Sequence, residues 1–491
     1  MKQLTGLDAS FLYAETPNAP MHISGLSIYD QSTAPDGKVR FKEIVKNTNS
    51  RLMGLPVMTQ KLLKVPLDFD HPYWVTDGAY DPEFHIRHIA LPKPGDWRQL
   101  CIVISRLHAR QLDRAHPLWE LYIIEGLDNV EGVPKGSFAM FSKTHHAAID
   151  GTSGMELTAA THDLTADYTA SREARRTITV DTEPSSIELI LRAQFNNIRK
   201  PFHFVSVARN TIPGMAKAVA GLSRGKLSRV KNVPRTRFNR TVSPHRVFNA
   251  INVSLEDVKK IKNSVPGATV NDAAITIVGG ALRKYLKFHN ELPAQSLAAM
   301  APINVRSDKD TAGGNIVASM TVLIRSDIAD PLERLHAVHE SSGRAKELTN
   351  AIGAKAMTDY TQFIPSMLTA QAARLASRWG LANLMNPSFN CVITNVPGPP
   401  IPLYNTGAKM VSNYGTGPVQ DGLGLFHVIG SYCGQFTISA TSCRVMMPDP
   451  DFYRQCLQDS FDELFAAANS TVKKAASKSK KATRPKPKRA A

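Results

Sequence analysis

The order of apolar and polar residues along the chain predicts a mixed α/β protein. In the first third, some segments alternate apolar and polar residues or form short runs rich in aromatic and β-branched residues, which indicates strands. Others repeat apolar residues with helical spacing. The predicted strands are "MHISGLSIYD", "LWELYIIEGL" and "GSFAMFSKTHH", and the predicted helices are "FKEIVKNTNSRLM", "WRQLCIVISRLHARQL" and "DGTSGMELTAATHDL". Thr152 or Ser153 is the N-cap expected for the last of these helices.

The pattern changes after residue 164. The chain becomes polar and then basic, and five prolines divide it into short pieces: Pro184, Pro201, Pro213, Pro234 and Pro244. One helix is predicted here, from "IELILRAQFNNI". We interpret residues 165–246 as a crossover between two lobes.

A second mixed region follows the crossover. Its predicted strands are "VFNAINVSL", "AAMAPINVR", "IVASMTVLI", "NCVITNV", "LFHVIGSY" and "QFTISATSC", and its predicted helices are "LEDVKKIKNSV" and "TVNDAAITIVGGALRKYLKFH". The pattern therefore predicts an N-terminal lobe over residues 1–164, the crossover, a C-terminal lobe over 247–468, and a disordered Lys-rich tail over 469–491.

Composition agrees with a two-lobed protein. A chain of 491 residues exceeds what one hydrophobic core usually supports, and a hydrophobic fraction of 43% is ordinary for a folded protein. The five cysteines are odd in number and lack metal-ligand spacing, so we expect no disulfide framework and a reducing cytoplasm. The N-terminus does not resemble a signal peptide, and no apolar run is long enough for a membrane span. We therefore expect a soluble or peripheral protein.

The net charge of +17 is concentrated in two segments. The tail from Thr471 onwards holds nine Lys or Arg and no acidic residue, while Leu189–Leu255 contains thirteen Lys or Arg and no Asp or Glu. Such segments favour an anionic partner, which could be a membrane surface, a phosphate-rich ligand or nucleic acid. A solvated, disordered extension is an equally good interpretation of the tail.

The stretch "KTHHAAIDG" is the main candidate for chemistry. If the preceding strand continues through His145 and His146, the two side chains point to opposite faces and cannot share a metal ion. No further ligands with zinc spacing lie nearby, so we predict no metal site. One accessible imidazole would be a suitable general base, although a structural role for the pair stays open. Asp150 and Gly151 would form a turn after the strand.

Several segments together resemble the bacterial wax ester synthase/diacylglycerol acyltransferase family. "HHAAIDG" matches its HHxxxDG signature, which other CoA-dependent acyltransferases share. The further matching segments are "LDASFLYAETPNAPMHISGL", "HPLWELYIIEGL", "TVNDAAI", "PINVRSDKDTAGGN" and "TNVPGPPIPLY". The resemblance extends to about Ala468, and the full set is more specific than HHxxxDG alone.

The resemblance implies a chloramphenicol acetyltransferase-like α/β fold, with a mixed sheet in each lobe and a tunnel along their interface. It makes His146 the general base and His145 a residue that supports the turn. Asp150 would pair with an arginine and hold the loop, and Gly151 would border the substrate. Acyl-CoA is the expected co-substrate, and no cofactor is expected.

Three more residues are candidates within this resemblance. Asn271 lies near a predicted helix start and could stabilise the negative oxygen of the thioester carbonyl, or could be an ordinary helix cap. Asn395 could line the tunnel or shape a turn, and Trp119 could contact substrate, although packing between the lobes is the better expectation. Cys433 and Cys443 stand where the family pattern has Asn and Asp.

The expected function is O-acyl transfer from acyl-CoA to a fatty alcohol, a diacylglycerol or both. The alternative enzyme acylates another small alcohol or an amine. The expected location is the cytoplasm, in peripheral contact with the inner membrane or lipid inclusions through the basic crossover. A specific nucleic-acid partner is not expected, because the tail lacks aromatic residues between its basic ones.

Overall fold

Strands from distant parts of the sequence form the sheets of this protein. The computed structural model describes residues 1–149, 153–167, 183–198, 220–221, 223–224, 230, 232–304, 317–352, 375 and 379–482. Up to residue 161 the elements are β1 (Lys2–Gln3), α1 (Gly6–Ala14), β2 (His22–Asp30), α2 (Phe41–Leu52), β3 (Gln60–Leu63), β4 (Tyr73–Thr76), α3 (Pro82–His85), β5 (Ile86–Ala90), α4 (Trp97–His108), β6 (Trp119–Glu125), β7 (Phe138–His145) and α5 (Ser153–Thr161).

The later elements include a helix within the predicted crossover. They are α6 (186–198), β8 (Arg246–Ser254), α7 (Leu255–Asn263), α8 (Val270–Phe288), β9 (Ala298–Asn304), β10 (Val317–Leu323), α9 (Pro331–Ile352), β11 (Cys391–Pro397), β12 (Tyr404–Asn405), β13 (Ala408–Thr416), β14 (Leu425–Tyr432), β15 (Gln435–Cys443) and α10 (Pro450–Ala482). The predicted mixed α/β class is confirmed.

Two six-stranded mixed sheets form the framework. The first has the order β12-β13-β2-β7-β6-β5 and is antiparallel except for the parallel pair β5–β6. The second has the order β10-β9-β11-β14-β15-β8, in which β11 is parallel to both of its neighbours. A small sheet, β1-β4-β3, lies beside them in the fold.

One strand of the later half of the chain joins the sheet that the first half forms. Strand β13 lies within the predicted C-terminal lobe, yet it pairs with β2 from Lys409↔Asp30 to Thr416↔Ser24. Its buried and partly exposed residues alternate along the strand, as expected for a sheet with one well-covered face. In return, Phe248 of β8 packs into the core of the first sheet. The lobes therefore interlock.

The last helix extends past residue 469, where the predicted tail begins. Helix α10 continues through residue 468 to Ala482, in a stretch where Ala and Lys, both good helix formers, are frequent. Residues 483–491 lie outside the described part of the chain, as does much of the predicted crossover. All five cysteines are free thiols.

Helix α8 is the centre of the second sheet's core. Its middle turns are buried on all sides, so neighbouring backbone approaches it closely. A Cβ atom at Gly279 would lie 2.1 Å from the carbonyl oxygen of Ile324, and one at Gly280 would lie 2.2 Å from Oγ of Ser460. The two glycines weaken the helix itself but permit this packing.

Candidate active site

The histidine pair lies where strand β7 becomes a short turn. The strand ends at His145, and His146–Ala148 form a single 3₁₀ turn. The His145 amide donates to the Leu118 carbonyl at 3.0 Å, and the His146 amide donates to the Met21 carbonyl at 2.9 Å. These bonds fix the turn between β2 and β6. The expectation that the strand continues through both histidines is therefore wrong, because the backbone turns between them.

His145 is buried, and both of its ring nitrogens have partners. Nδ1 accepts a hydrogen bond from the Ala147 amide at 3.1 Å, so Nε2 must carry the proton. Nε2 donates to Oε2 of Glu15 at 3.0 Å. Burial lowers the pKa of His145, which keeps the ring neutral near pH 7. This arrangement supports the predicted role of His145 in holding the turn.

Glu15 is the anchor of His145, and the sequence analysis did not single it out. Its Oε2 also accepts from the Met21 amide at 3.0 Å, while Oε1 accepts from Gln111 and Arg114 at 3.1 and 3.0 Å. Burial alone raises the pKa of Glu15, but the bonds to His145 and Met21 and the charge of Arg114 outweigh it and hold the pKa at about 2. The available signal was a lone carboxylate after the apolar segment "ASFLYA".

A second buried ion pair lies on the same face of β7 as His145. Lys143 is fully buried, and its Nζ donates to Oε2 of Glu120 at 3.0 Å and to the Arg110 carbonyl at 2.9 Å. Burial lowers the pKa of Lys143, while Glu120 opposes that effect. Two residues of the loop after α4 therefore hold this region together. Arg110 binds Lys143 of β7, and Arg114 binds Glu15. These contacts give the histidine turn a polar, tightly connected support.

His146 has different surroundings from its neighbour. Its ring is partly buried and stacks on Phe11 of α1, with the ring centroids 3.9 Å apart and the planes inclined by 15°. The buried Nδ1 has no partner with hydrogen-bond geometry among the described residues. Burial lowers the pKa of His146 to about 4, and its own backbone carbonyl offsets only part of that change. The ring is therefore neutral near pH 7.

Phe11 connects this histidine to the other half of the protein. The phenyl ring packs against the core around α8, which also contains Met21. Because Phe11 and Ala14 lie three residues apart on α1, they share one helix face. Ala14 borders a cavity of about 390 Å³. The remaining walls come from Thr16, Ala19, Asn239, Leu381, Ala382, Met385, Asn386, Pro387, Ser388, Phe389, Gln420, Asp421, Gly422 and Leu423. The cavity thus begins about one helical turn from the ring that stacks on His146.

Asn271 lies on the first turn of α8, as predicted. The cap of that helix is Thr269, whose side chain accepts from the Asp272 amide, while Asp272 accepts in return from the Thr269 amide. Asn271 is therefore not needed as a cap, and its amide has no hydrogen-bond partner among the described residues. No described contact joins Asn271 to His146, so its role as a donor stays a prediction.

Trp119 and Asn395 have contrasting environments. Trp119 is buried in the core of the first sheet, stacks on His85, and donates its indole N–H to the Met58 carbonyl at 2.8 Å. These contacts are all with the protein core, and contact of Trp119 with substrate stays a prediction. Asn395 is exposed on β11, beyond Val392, the last residue at which β11 pairs with β9. Asp150 and Gly151 lie outside the described residues.

The two cysteines that depart from the family pattern lie at the ends of one hairpin strand. Cys433 is exposed in the turn between β14 and β15, with φ of 45°. Cys443 is buried at the end of β15, where its sulfur accepts from the Ser243 amide at 3.1 Å. Neither residue contacts the histidine turn in the described structure.

The described residues contain neither a metal-binding cluster nor a membrane-spanning helix. No group of three or more His, Cys, Asp or Glu is arranged to hold a metal ion there. No helix in the same residues has the length and apolar composition needed to cross a bilayer.

Comparison with protein families gives two successive matches along the chain. A model described as the wax ester synthase/diacylglycerol acyltransferase catalytic domain matches residues 4–274, and one described as the WS/DGAT C-terminal domain matches residues 313–465. A Mycobacterium tuberculosis protein named "Probable diacyglycerol O-acyltransferase tgs2" is 31% identical over 476 residues. That alignment covers 93% of this chain and 97% of the relative.

Solved structures support the same fold. The wax ester synthase/diacylglycerol acyltransferase from Marinobacter aquaeolei VT8 superposes with a TM-score of 0.66 and 25% identity, covering 96% of this chain and 100% of the other. The starter condensation domain of rhizomide synthetase gives a TM-score of 0.55 at 11% identity, covering 95% of this chain and 94% of that domain. This second likeness concerns the fold alone.

Proposed function

Because the chain belongs to the wax ester synthase/diacylglycerol acyltransferase family and is an acyltransferase, we propose that it transfers a long-chain acyl group from acyl-CoA to the hydroxyl of a fatty alcohol, a diacylglycerol or both. His146 is the general base in this proposal. The observation that carries it is the neutral, partly buried ring of His146 on a turn that His145 and Glu15 hold in place.

The reaction needs one proton to move twice. Nε2 of His146 removes the proton from the acceptor hydroxyl while the oxygen attacks the thioester carbonyl and forms a tetrahedral intermediate. The carbon–sulfur bond then breaks, and the proton passes from His146 to the departing CoA thiolate. The products are an ester and free CoA, and no acyl-enzyme forms. Burial keeps the His146 ring unprotonated at neutral pH, so a nitrogen is available when the acceptor arrives.

The tetrahedral intermediate carries a negative oxygen that requires a hydrogen-bond donor. Asn271 is the proposed donor, since its amide has no other described partner and it lies in the first turn of α8, where the helix dipole favours negative charge. Removing one such donor typically costs about 10²–10³ in kcat.

The cavity beside Ala14 is the proposed binding site for an apolar part of the substrate. Its volume of about 390 Å³ and its largely apolar walls fit a section of an alkyl chain. Its start on α1, one turn from Phe11, supports a path towards His146. The predicted tunnel would extend this cavity along the interface between the two sheets.

The alternative function keeps the same base and changes the acceptor to a small alcohol or an amine. The apolar cavity favours the lipid acceptor over this alternative.

We further propose that the protein acts in the cytoplasm, in peripheral contact with an anionic membrane or lipid-inclusion surface. The absence of acidic residues from Leu189–Leu255 supports such contact.

Release of free CoA from palmitoyl-CoA tests the proposal. Wild-type protein is assayed with hexadecanol, with a diacylglycerol and with no acceptor, beside His146→Ala. We expect acceptor-dependent release that falls by about 10²-fold or more in the variant. His88→Ala is the matched control, because His88 is a partly exposed ring paired with Glu125 at 3.1 Å on β5. Undiminished release by His146→Ala would remove that residue from the role of base. Release with small acceptors only would favour the alternative.

A further inference from the structure

Helix α1 packs directly on the histidine turn. Leu12 is buried in one apolar cluster with Ala147 and Ala148 of the turn. Phe11, the preceding residue of the helix, stacks on the His146 ring. The position of this nine-residue helix therefore determines how closely the phenyl ring covers the imidazole.

The C-terminal end of α1 has no cation of its own. Its last turn contains no basic residue, although the last carbonyls of a helix carry a negative partial charge. Arg114 supplies the missing cation from the loop after α4, 102 residues along the chain from its partner. Its Nη2 atom donates to the Leu12 carbonyl at 3.0 Å. The guanidinium therefore holds the last turn of α1 against that loop.

The same nitrogen of Arg114 also binds Glu15. Nη2 donates to Oε1 of Glu15 at 3.0 Å, so both hydrogens of this nitrogen are used. Glu15 in turn accepts from Nε2 of His145. Arg114 thus contacts one support of each histidine. The first is the carboxylate that binds His145, and the second is the helix that carries Phe11 beside His146.

We propose that Arg114 is a positioning residue for the general base. It holds α1 where Phe11 stacks on His146, and it holds Glu15 on His145. Arg114 acts through these residues, because it makes no contact with the His146 ring in the described structure. The inference rests on the proposed function, since it takes His146 as the base.

Loss of the Arg114 contacts has a specific consequence for the pH profile. Burial is the largest cause that lowers the pKa of His146, and the Phe11 ring supplies part of that burial. A helix end that shifts admits water to the imidazole, so the apparent pKa of kcat/KM rises. A residue that only stabilised the fold would change the thermal midpoint and leave this pKa unchanged.

Two substitutions separate the charge of Arg114 from its geometry. Arg114→Gln removes both, whereas Arg114→Lys keeps the charge on a shorter side chain without the planar fork. CoA release from palmitoyl-CoA with hexadecanol or a diacylglycerol is measured from about pH 4 to 8, beside thermal unfolding.

The two variants should differ in stability and agree in their pH profiles. For Arg114→Gln we expect kcat to fall by about 3–10-fold with KM for acyl-CoA unchanged, and the apparent pKa to rise by about 0.5. For Arg114→Lys we expect a thermal midpoint near that of the wild type, because Glu15 keeps a cationic partner, but the same rise in pKa. A wild-type pKa in Arg114→Lys would show that the charge alone matters and would overturn the proposal.

A double-mutant cycle tests whether Arg114 acts through Phe11. Phe11→Leu, Arg114→Lys and the double variant are compared by their pH profiles. We expect the double variant to have the apparent pKa of Phe11→Leu alone, because the ring that Arg114 positions is already absent. Changes in pKa that add in the double variant would overturn the proposal.

Arg51→Lys is the matched control. Arg51 binds both oxygens of Asp163 at 2.8 and 2.7 Å and lies 3.5 Å from the Ala160 carbonyl in the last turn of α5. It therefore joins a carboxylate to a helix end as Arg114 does. This variant should keep the wild-type apparent pKa whatever its thermal midpoint. An equal rise in pKa would show that any such loss loosens the site, and would overturn the specific role of Arg114.

Failure of this inference differs from failure of the proposed function. Wild-type protein without acceptor-dependent release, or His146→Ala with undiminished release, would remove the base and this inference with it. If those two proteins behave as proposed and neither Arg114 variant moves the pH profile, only the positioning role is overturned.

Discussion

The two sides of the 145–148 turn differ in the contacts that they provide for a histidine ring. On the inner side, His145 has a partner for each nitrogen, and its partner Glu15 is itself bonded to Met21, Gln111 and Arg114. On the outer side, His146 contacts the face of Phe11, and its Nδ1 has no hydrogen-bond partner among the described residues.

This difference supports the two proposed roles without reference to the order of the residues in the motif. A ring with two fixed hydrogen bonds cannot take a proton without breaking one of them, so His145 is suited to hold backbone in place. A ring that burial keeps neutral and whose two nitrogens are not both held by hydrogen bonds is suited to remove a proton. Glu15, which supports His145, is a buried charge, and removing it is expected to lower the free energy of unfolding strongly.

The largest effect is expected from removing Glu15, the anchor of His145. Glu15→Ala removes the acceptor of the His145 N–H and the Met21 amide, and leaves Arg114 with the Leu12 carbonyl but without its carboxylate partner. Loss of one partner from a buried pair typically costs about 3–5 kcal/mol. We expect a marked fall in the thermal midpoint and a loss of about 10-fold or more in kcat, with KM for acyl-CoA little changed.

The matched control for that variant is Glu125→Ala. Glu125 is an exposed carboxylate paired with His88 at the end of β6, and exposed pairs contribute about 0–1 kcal/mol. Both variants are followed by thermal unfolding and by CoA release. Equal effects of the two substitutions would show that Glu15 has no special role beneath the turn.

Several features of this comparison could be predicted from the sequence and others could not. The strands that lead to and flank the turn were predictable because their apolar patterns are local, and β2, β6 and β7 were found where expected. The role of Glu15 was not predictable by spacing, because 130 residues separate it from His145 and only the fold brings them together. The pairing of β13 with β2 was missed for the same reason.

Two further features of the site depend on contacts that local patterns do not reveal. Trp119 belongs to a matching motif, but its indole N–H is satisfied by Met58 within the core, which a sequence motif cannot reveal. Strand β7 ends at His145 because the amides of His145 and His146 donate hydrogen bonds to the carbonyls of Leu118 and Met21. Leu118 and Met21 directly precede β6 and β2, so these bonds join distant parts of the sequence. Patterns along one segment therefore identified elements, whereas the chemistry of the site depended on contacts between segments.

The dependence of activity on pH gives a second test of the comparison. The pKa of His146 is about 4, so the base is deprotonated, and therefore competent, at any pH well above that value. We expect kcat/KM to be nearly constant from about pH 5.5 to 8 and to fall only at lower pH. An inflection near pH 6.5 would contradict the depressed pKa and the dry environment that causes it.

Stability must be followed in the same pH series, because other buried histidines respond to acid. Burial lowers the pKa of His108 to about 3 and also lowers that of His22. The unfolded chain therefore binds more protons than the folded chain below pH 6.5, and stability falls as the pH drops from 6.5 towards these folded pKa values. Tryptophan fluorescence at each pH separates this unfolding from protonation of His146.

The smallest expected effect comes from Phe11, and it tests the outer side of the turn alone. Phe11→Leu keeps an apolar side chain beside His146 but removes the stacked ring, so more water reaches the imidazole. We expect the apparent pKa of kcat/KM to rise by about 0.5–1 unit and kcat to fall by about 2–5-fold, because desolvation by Phe11 supplies only part of the shift. Phe84→Leu is the control, since Phe84 packs on His85 and His116 with centroids 5.1 and 4.1 Å apart, away from the turn. A Phe11 variant with the wild-type pH profile would show that the remaining walls of the site, and not this ring, keep His146 unprotonated.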